Sequence, residues 1–388
     1  MKNYVKQILL YTAFLMTPLL LAGCWDANEP EQMLYIQGVG VDYKKDEFVV
    51  YLQIINPGLL AKSESTGGVS EAKVVVGRGT GKTVNEAIFD IYRSSQRRLF
   101  WGHINFFIFT DKALENDALK ALMDLFDRYR ETRYGSWLFV TKEPLFDIMT
   151  TLPPSKSSTV FAKLSDPESS YKQRSLIKPI DMRELFISLN EPPHEAVIPF
   201  VKLAKDTWKS DEGKNPAVQI DGIASITRKT LKGIMSYKKV PGLQWVNEDL
   251  KRNEISLTGE YSDISLLVEK VKIKKKPIVK GTDVSFALSI DATVLLREIT
   301  SKKNLKKIEQ SAEKVFKDEI VQTFNQGLKM DTDLFRLSEA LYRKDVHTWK
   351  KIEKNGKIPL TSDTLNELSV NVKVKMTRGE RQRKRPTL

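Results

Sequence analysis

The first 24 residues constrain this chain more than any other segment. Lys2 and Lys6 precede an uncharged apolar stretch, Ile8–Ala22, which ends shortly before Cys24. This stretch of about 15 apolar residues is shorter than the roughly 20 that span a bilayer as a helix, and Pro18 lies inside it. The pattern indicates an export signal rather than a permanent membrane span. The remainder of the chain is therefore expected to fold outside the cytosol.

Cys24 ends a sequence that resembles a bacterial lipobox, Leu21-Ala22-Gly23-Cys24. Small residues let the lipoprotein signal peptidase approach the backbone, and the thiol takes a diacylglyceryl group before cleavage. We expect removal of residues 1–23 by cleavage between Gly23 and Cys24, leaving an S-diacylglycerol and N-acyl cysteine. Two or three long acyl chains hold a protein on a membrane almost permanently. The alternative is an ordinary secretory peptide followed by a chance cysteine.

Composition disfavours several classes of function. Cys24 is the only cysteine, so the chain has no internal disulfide, and the three histidines are scattered at His103, His194 and His347. These residues do not form a cluster with the spacing of a zinc site. We therefore expect no metal and no cofactor. An exported protein also has no ATP supply, which disfavours nucleotide-driven activity.

The N-terminal region, residues 24–204, is predicted to be a mixed α/β domain. Leu34–Val41 and Phe48–Ile55 have the composition of two strands joined by a polar turn, which indicates a hairpin. Thr83 and Glu86 have the spacing of a capping box, in which each side chain accepts a hydrogen bond from a free backbone N–H group. A buried strand, a second amphipathic helix and another strand follow, so strands and helices alternate.

Residues 205–216 are polar enough to be a linker. Beyond them, residues 217–388 are predicted to form a second domain of one or two subdomains. Period-2 hydrophobic patterns indicate antiparallel strands with one face in water, and Leu305–Leu328 have the spacing of a long amphipathic helix. The whole chain is therefore predicted to have an α+β fold that ends in a basic tail.

Two segments of the N-terminal region suggest a nucleotide site or a catalytic base. Gly77–Thr83 joins a strand to a helix and ends Gly-Lys-Thr, but a phosphate-binding loop needs glycine where Val76 stands. We therefore predict a tight glycine turn and no nucleotide. His103 ends the aromatic and basic run Arg97–His103, with no nucleophile or paired carboxylate nearby in the sequence. This pattern favours a structural role for His103 over a catalytic one.

Three charged segments have both a simple and a functional interpretation. Asp127–Arg133 carries both signs and is expected to be the solvated end of a helix. Lys270–Lys280 and Arg378–Arg385 are strongly basic, but they lack the aromatic residues that stack nucleic-acid bases, and no nucleic acid is expected outside the cell. Anionic lipid headgroups or cell-wall polymers would be their partners. The simpler interpretation is a polar strand edge and a frayed tail.

Several short segments share their order and spacing with one family. Cys24-Trp25-Asp26 follows the lipobox directly. Further segments extend over nearly the whole chain: Gly38–Asp42, Gly79–Gly81 with Glu86–Ala87, Leu99–His103, Asp127–Arg128 with Glu131, Asp221–Ala224, Gly233 and Trp245. Together they resemble the Ger(x)C family of spore-germination lipoproteins, the C subunits of nutrient germinant receptors. The basic C-terminal tail has no counterpart in this resemblance.

The resemblance implies an accessory, non-catalytic subunit with a three-domain fold. Such a subunit is held by acylated Cys24 in membrane lipid, on the outer face of the cell membrane and, in the spore, of the inner membrane. Its implied partners are the integral membrane A and B subunits, which act with it in sensing nutrients. Two other functions stay open: a solute-binding lipoprotein that captures the nutrient directly, and an envelope hydrolase. Solute-binding lipoproteins usually have two parallel α/β lobes, which the period-2 strands after Val218 disfavour.

Overall fold

The computed structural model describes residues 3–8, 10–12, 33–55, 74–128, 131–155, 162–211, 213–228, 230–281, 283–296 and 304–376. Cys24 and the basic tail Arg378–Arg385 lie outside these residues, so the lipidation site and the tail stay predictions. Residues 3–8 and 10–12 are helical. In the described part of the chain, no helix combines the length and the apolar character needed to cross a membrane.

The fold is α+β, as predicted, and its strands form two main sheets and a small hairpin. The described strands are β1(Met33–Lys44), β2(Glu47–Ile55), β3(Val75–Gly81), β4(Arg98–Phe100), β5(Phe106–Thr110), β6(Trp137–Thr141), β7(Glu195–Ala204), β8(Lys209–Ser210), β9(Gly213–Lys214), β10(Ala217–Thr227), β11(Leu231–Ser236), β12(Asn253–Ser256), β13(Ser265–Lys280), β14(Asp283–Leu296) and β15(Leu365–Met376). The described α-helices are α1(Val84–Tyr92), α2(Asp111–Glu115), α3(Ala118–Arg128), α4(Leu145–Thr150), α5(Pro167–Gln173), α6(Met182–Asn190), α7(Leu305–Lys329), α8(Leu337–Lys344) and α9(Val346–Ile352).

The large sheet has nine strands in the order β11-β10-β7-β6-β5-β1-β2-β3, and the short strand β4 also pairs with β1. Its centre is parallel, because β1, β5, β6 and β7 are joined by connections that contain helices. Every residue of β5, Phe106–Thr110, is buried, as expected for a strand covered on both faces. The predicted hairpin is confirmed by the antiparallel pairing of β1 with β2.

Gly77–Gly81, predicted as a tight turn, instead belong to the edge strand β3. A Cβ atom on Gly79 would collide with the carbonyl oxygen of Ala87 in α1. The glycines therefore let the helix backbone approach the strand closely, and this packing explains the glycine-rich composition. The predicted helix start is confirmed, since the Glu86 N–H donates to Thr83 Oγ1 at 3.1 Å.

The polar segment 205–216, predicted as a linker, connects two neighbouring strands of the large sheet. Strands β7 and β10 pair antiparallel from Ala204 opposite Ala217 to Glu195 opposite Thr227. Between them the chain forms the hairpin β8–β9. The sheet therefore continues across the predicted boundary, and β10 and β11 complete its edge. The division into domains at this segment stays a prediction, but it does not coincide with a break in the sheet.

The smaller sheet has the order β12-β13-β14-β15 and confirms the strands expected after the linker. Strands β12, β13 and β14 are antiparallel, as predicted. Strand β15 differs, because it runs parallel to β14. The connection between these two strands contains α7, α8 and α9, and a helical crossover returns the chain to the end of the sheet from which β14 started.

Helix α7 also covers the outer edge of β15. The Glu313 carboxylate accepts a hydrogen bond from the Val372 N–H at 3.2 Å, and the Glu309 carboxylate accepts one from the Val374 N–H at 3.0 Å. These backbone groups would otherwise be unpaired donors at a sheet edge. The helix therefore accepts hydrogen bonds from the free N–H groups of the edge strand, and it also packs on the sheet.

One hydrophobic core joins the smaller sheet to the edge of the large sheet. It includes Ile223 of β10 and Met235 of β11, together with Trp245 and residues of α7. The ring centroids of Trp245 and Phe316 are 4.4 Å apart, and both side chains are fully buried. Because burial of such side chains stabilises a fold strongly, the two sheets are held as parts of one packed body.

Candidate functional site

His103 lies at the surface in an aromatic cluster. The centroid of its ring is 5.2 Å from that of Tyr35 and 5.6 Å from that of Phe100. A Cβ atom on Gly102 would be 2.7 Å from the Phe100 ring, so this turn is closely packed. Within the described residues, no hydrogen bond joins His103 to a nucleophile or a carboxylate. These contacts favour a packing role over general base catalysis.

The mixed-charge segment after α3 is attached to the same region instead of being free in solvent. The Glu131 carboxylate accepts a hydrogen bond from Arg98 at 3.1 Å and one from the Trp101 backbone N–H at 3.4 Å. Trp101 is only 1% exposed. Glu131 therefore connects the residues that follow α3 to β4, while Arg128 and Arg133 of the same segment are exposed to solvent, as expected.

The Gly-Lys-Thr segment before α1 uses its polar groups within the fold. Lys82 Nζ lies 3.3 Å from a Glu47 carboxylate oxygen, and the Thr83 hydroxyl caps α1. The Thr80 N–H donates to the Asp90 carboxylate at 3.1 Å. This backbone hydrogen bond, followed by one from Arg93, lowers the pKa of Asp90. The Asp90 carboxylate thus already accepts the hydrogen bond from a backbone N–H group that an external anion would need.

A cleft of about 550 Å³ lies between α6 and the segments that follow α7, and the sequence analysis did not anticipate it. Most of its charged side chains are already paired within the protein. Lys178 Nζ lies 3.0 Å from Glu184 and 2.8 Å from Asp249. Arg343 lies 2.7 Å from Glu339, which also pairs with Arg336. The cleft therefore offers mainly compensated charges to a ligand.

A cluster of four charged groups connects the large sheet to the crossover between β14 and β15 of the smaller sheet. Glu195 at the start of β7 is 5% exposed, and one of its carboxylate oxygens lies 3.4 Å from Lys232 Nζ and 3.3 Å from Lys357 Nζ. Both amines also lie 2.6 Å from carboxylate oxygens of Asp331. The other Glu195 oxygen accepts the Asp333 N–H at 2.9 Å. We call Glu195, Lys232, Asp331 and Lys357 the joint cluster.

Two members of the joint cluster, Lys232 and Asp331, have shifted pKa values. Burial by itself would lower the pKa of Lys232, but the hydrogen bond to Asp331 and the charge of Glu195 outweigh it and raise this pKa. Burial would raise the pKa of Asp331, and its hydrogen bonds with the two lysines lower it overall. Lys232 and Asp331 therefore stay charged at neutral pH. A cluster of this kind locks two parts of a fold together and is poorly suited to proton transfer.

The basic run Lys270–Lys280 lies on one long strand, β13. Because side chains alternate along a strand, Lys270, Lys272, Lys274 and Lys276 share one exposed face, whereas Val271 is buried. Among the described residues, no group of three or more His, Cys, Asp or Glu side chains is arranged to hold a metal ion.

Two family sequence models match this chain. The model described as the spore germination protein N-terminal domain matches residues 26–203. The model described as spore germination B3/GerAC like, C-terminal, matches residues 221–379. The segment between the two matches contains the β8–β9 hairpin.

Relatives of similar length carry the same description. Spore germination protein KC of Bacillus subtilis (strain 168) is 26% identical over 391 residues, which cover 95% of this chain and 94% of the relative. Spore germination protein B3 of the same organism is 24% identical over 346 residues, which cover 86% of this chain and 89% of the relative. The crystal structure of the GerBC protein shares the fold, with a TM-score of 0.50, 19% sequence identity and coverage of 88% of this chain and 97% of that chain. Since the two models together match most of the chain in the order N-terminal then C-terminal, this chain belongs to the Ger(x)C, or GerAC-like, family of spore germination proteins.

Proposed function

We propose that this chain is the lipid-anchored, non-catalytic subunit of a spore nutrient germinant receptor, needed for germination in response to nutrients. The observation that carries this proposal is the position of the family match relative to the lipobox. The match to the N-terminal domain begins at residue 26, two residues after Cys24. The relatives named above are spore germination proteins. A family body that begins directly behind a lipid-bearing cysteine is the arrangement expected of an anchored subunit.

The length of chain between Cys24 and the first strand sets how far the body can move from the membrane. Met33, where β1 begins, is nine positions after Cys24 in the chain. An extended chain spans at most roughly 3.5 Å per residue, so the start of β1 stays within about 30 Å of the acylated cysteine. On the outer face of the membrane, the body would remain beside integral membrane A and B subunits.

The folded body supports a docking role rather than ligand capture by closure. One hydrophobic core contains residues of both sheets, and the ion pairs of the joint cluster connect the large sheet to the crossover of the smaller one. Domains that close around a ligand need a joint whose contacts change at little free-energy cost. In this protein the joint contains a buried carboxylate, Glu195, whose separation from Lys232 and Lys357 would be costly.

The lipid anchor is tested with Cys24→Ala in a spore-forming strain that lacks its own copy of the gene. We expect the variant to lose the acyl mass at the N-terminus, to leave the membrane fraction and to reduce the loss of optical density that follows nutrient addition. Asn28→Ala, four residues further along, is the matched control and should behave as wild type. Normal membrane retention and germination of Cys24→Ala would refute the anchor. Normal germination after complete loss of the gene would refute the receptor role.

The rival function is a solute-binding lipoprotein, and the 550 Å³ cleft is the feature that favours it, since small-molecule sites have volumes of about 300–1,000 Å³. Isothermal calorimetry of the purified chain with amino acids and sugars separates the two functions. We expect no heat of binding from this subunit alone, because most charged groups of the cleft are already paired within the protein. Micromolar binding, lost on Arg343→Ala, would establish the rival. Release of fragments from peptidoglycan would instead indicate an envelope hydrolase.

A further inference from the structure

Six lysines lie on one uncovered face of the smaller sheet, and we propose that this face binds the surface of an anionic lipid bilayer. The six residues, which we call the lysine face, are Lys270, Lys272, Lys274 and Lys276 of β13 and Lys373 and Lys375 of β15. The proposal goes beyond the receptor role. It does not depend on acylation of Cys24, because the binding would come from the folded body.

Strand register places these lysines on the same side of the sheet. Thr293 of β14 is opposite both Lys270 and Lys373, so these two lysines lie in one row across three strands. Neighbouring strands are about 4.8 Å apart and alternate residues on a strand are about 6.8 Å apart. The four lysines of β13 therefore extend over roughly 20 Å, with the β15 lysines roughly 10 Å to one side.

The lysine face points away from the protein core. All six lysines are exposed. The alternate side chains on β14, including Leu288, Ile290 and Val294, are buried against the core that contains α7. The described part of the chain therefore covers one face of this sheet and leaves the lysine face open to solvent.

The charge of this face is not neutralised by the fold. In the described part of the chain, the side-chain amines of these six lysines form no ion pair and no hydrogen bond. The carboxylates on this face are those of Glu254 on β12, Asp291 on β14 and Glu367 on β15, with Glu269 at the bulge of β13, while Asp283 lies opposite Lys280 at the far end of the strand. Lysines outweigh them, whereas lysines elsewhere on the large sheet, such as Lys202, pair with a carboxylate. A flat surface with a net positive charge attracts a surface of opposite charge.

The side chains between the lysines favour a lipid surface over a nucleic acid or a protein partner. Ser289, Thr293 and Ser369 are small and polar, and the rows that cross β13, β14 and β15 on this face contain no aromatic side chain. Single-stranded nucleic acids are held by aromatic stacking as well as charge, and protein interfaces have an apolar centre. Lipid headgroups require only basic groups close to their surface.

The experiment measures binding of the full chain with Cys24→Ala to vesicles of phosphatidylcholine with or without phosphatidylglycerol. Phosphatidylcholine vesicles report any binding by the apolar N-terminal segment, so the difference between the two vesicle types reports electrostatic binding. Each lysine close to an anionic surface contributes roughly a fivefold factor in affinity. Changing Lys270, Lys272, Lys274 and Lys276 to Gln should weaken binding to phosphatidylglycerol vesicles by at least about tenfold. Binding of the parent chain should weaken as salt is added.

A matched variant distinguishes the effect of the lysine face on vesicle binding from the effect of net charge. Lys112, Lys120, Lys350 and Lys351 are exposed and lie elsewhere, so changing them to Gln alters the net charge equally. This variant should stay within about twofold of the parent chain. Equal weakening of both variants, or no weakening of either, would overturn the proposal. Binding of the parent chain to soluble polyphosphate but not to phosphatidylglycerol vesicles would overturn it in favour of an anionic polymer. Circular dichroism of both variants checks that each has folded.

Discussion

The joint cluster makes a quantitative prediction for the substitution Glu195→Gln. Glutamine keeps an oxygen that can accept the Asp333 N–H, but it removes the negative charge that lies 3.4 Å from Lys232 and 3.3 Å from Lys357. Removing one partner of a buried ion pair costs about 3–5 kcal/mol, because the remaining charge stays buried. Asp331 still pairs with both lysines, so we expect a loss of about 3 kcal/mol, the lower end of this range.

Urea unfolding followed by tryptophan fluorescence measures this loss. The method suits the protein because Trp101 is buried in the core of the large sheet and Trp245 in the core of the smaller one. The midpoint should move to lower urea with little change in slope. The control is Asp221→Asn, which breaks the more exposed pair between Asp221 and Lys202 and should cost at most about 1 kcal/mol. A loss of under about 1 kcal/mol for Glu195→Gln, or one equal to the control, would refute the buried-joint reasoning.

Three further predictions follow from local packing and charge. Gly242→Ala places a Cβ atom 2.5 Å from the Glu319 carbonyl oxygen and should cost about 1–3 kcal/mol in thermal unfolding, whereas Gly135→Ala, with nothing within 4 Å, should be neutral or slightly stabilising. Burial raises the pKa of the Glu319 carboxyl above 4.5, despite hydrogen bonds from Trp245 and Gln244 that lower it. This contribution to stability is complete below pH 4.5 and is lost as pH rises through the raised pKa, so Glu319→Gln should reduce the loss of stability that urea titrations measure as pH rises above 4.5. An unchanged pH dependence would contradict that assignment. Thr83→Ala removes the α1 cap and should cost about 1 kcal/mol by the same assay, and no measurable change would show that the cap is replaced by water.

Elements with a strong local pattern could be predicted from the sequence. The long helix α7 follows the apolar spacing of Leu305–Leu328, and the strands of the smaller sheet follow their period-2 patterns. Gly77–Gly81 could not be assigned correctly, because glycines in a turn and glycines beneath a closely packed helix look the same in a sequence. The parallel direction of β15 depends on a crossover of three helices, which strand periodicity does not record.

The lysine face and the joint cluster also differ in how far the sequence alone could predict them. The lysine run on β13 is visible in the sequence because alternation along one strand is local. Its continuation to Lys373 and Lys375 depends on pairing between strands about 100 residues apart, which only the structure shows. The joint cluster draws on four separate segments, and the hydrogen bond between Lys357 and Glu195 joins residues 162 positions apart. No spacing rule relates such residues, so the cluster could not be found from the sequence.

The two glutamates of α7 that bind β15 affect what happens when copies of the protein lie close together on a surface. Molecules confined to a surface meet often, and an open strand edge is a template on which a second copy can extend the sheet. Here Glu309 and Glu313 already occupy the backbone donors of that edge. A second copy would have to displace both carboxylates before one of its strands could pair with β15. Neighbouring copies can therefore lie close together on a surface without extending the sheet from one copy to the next.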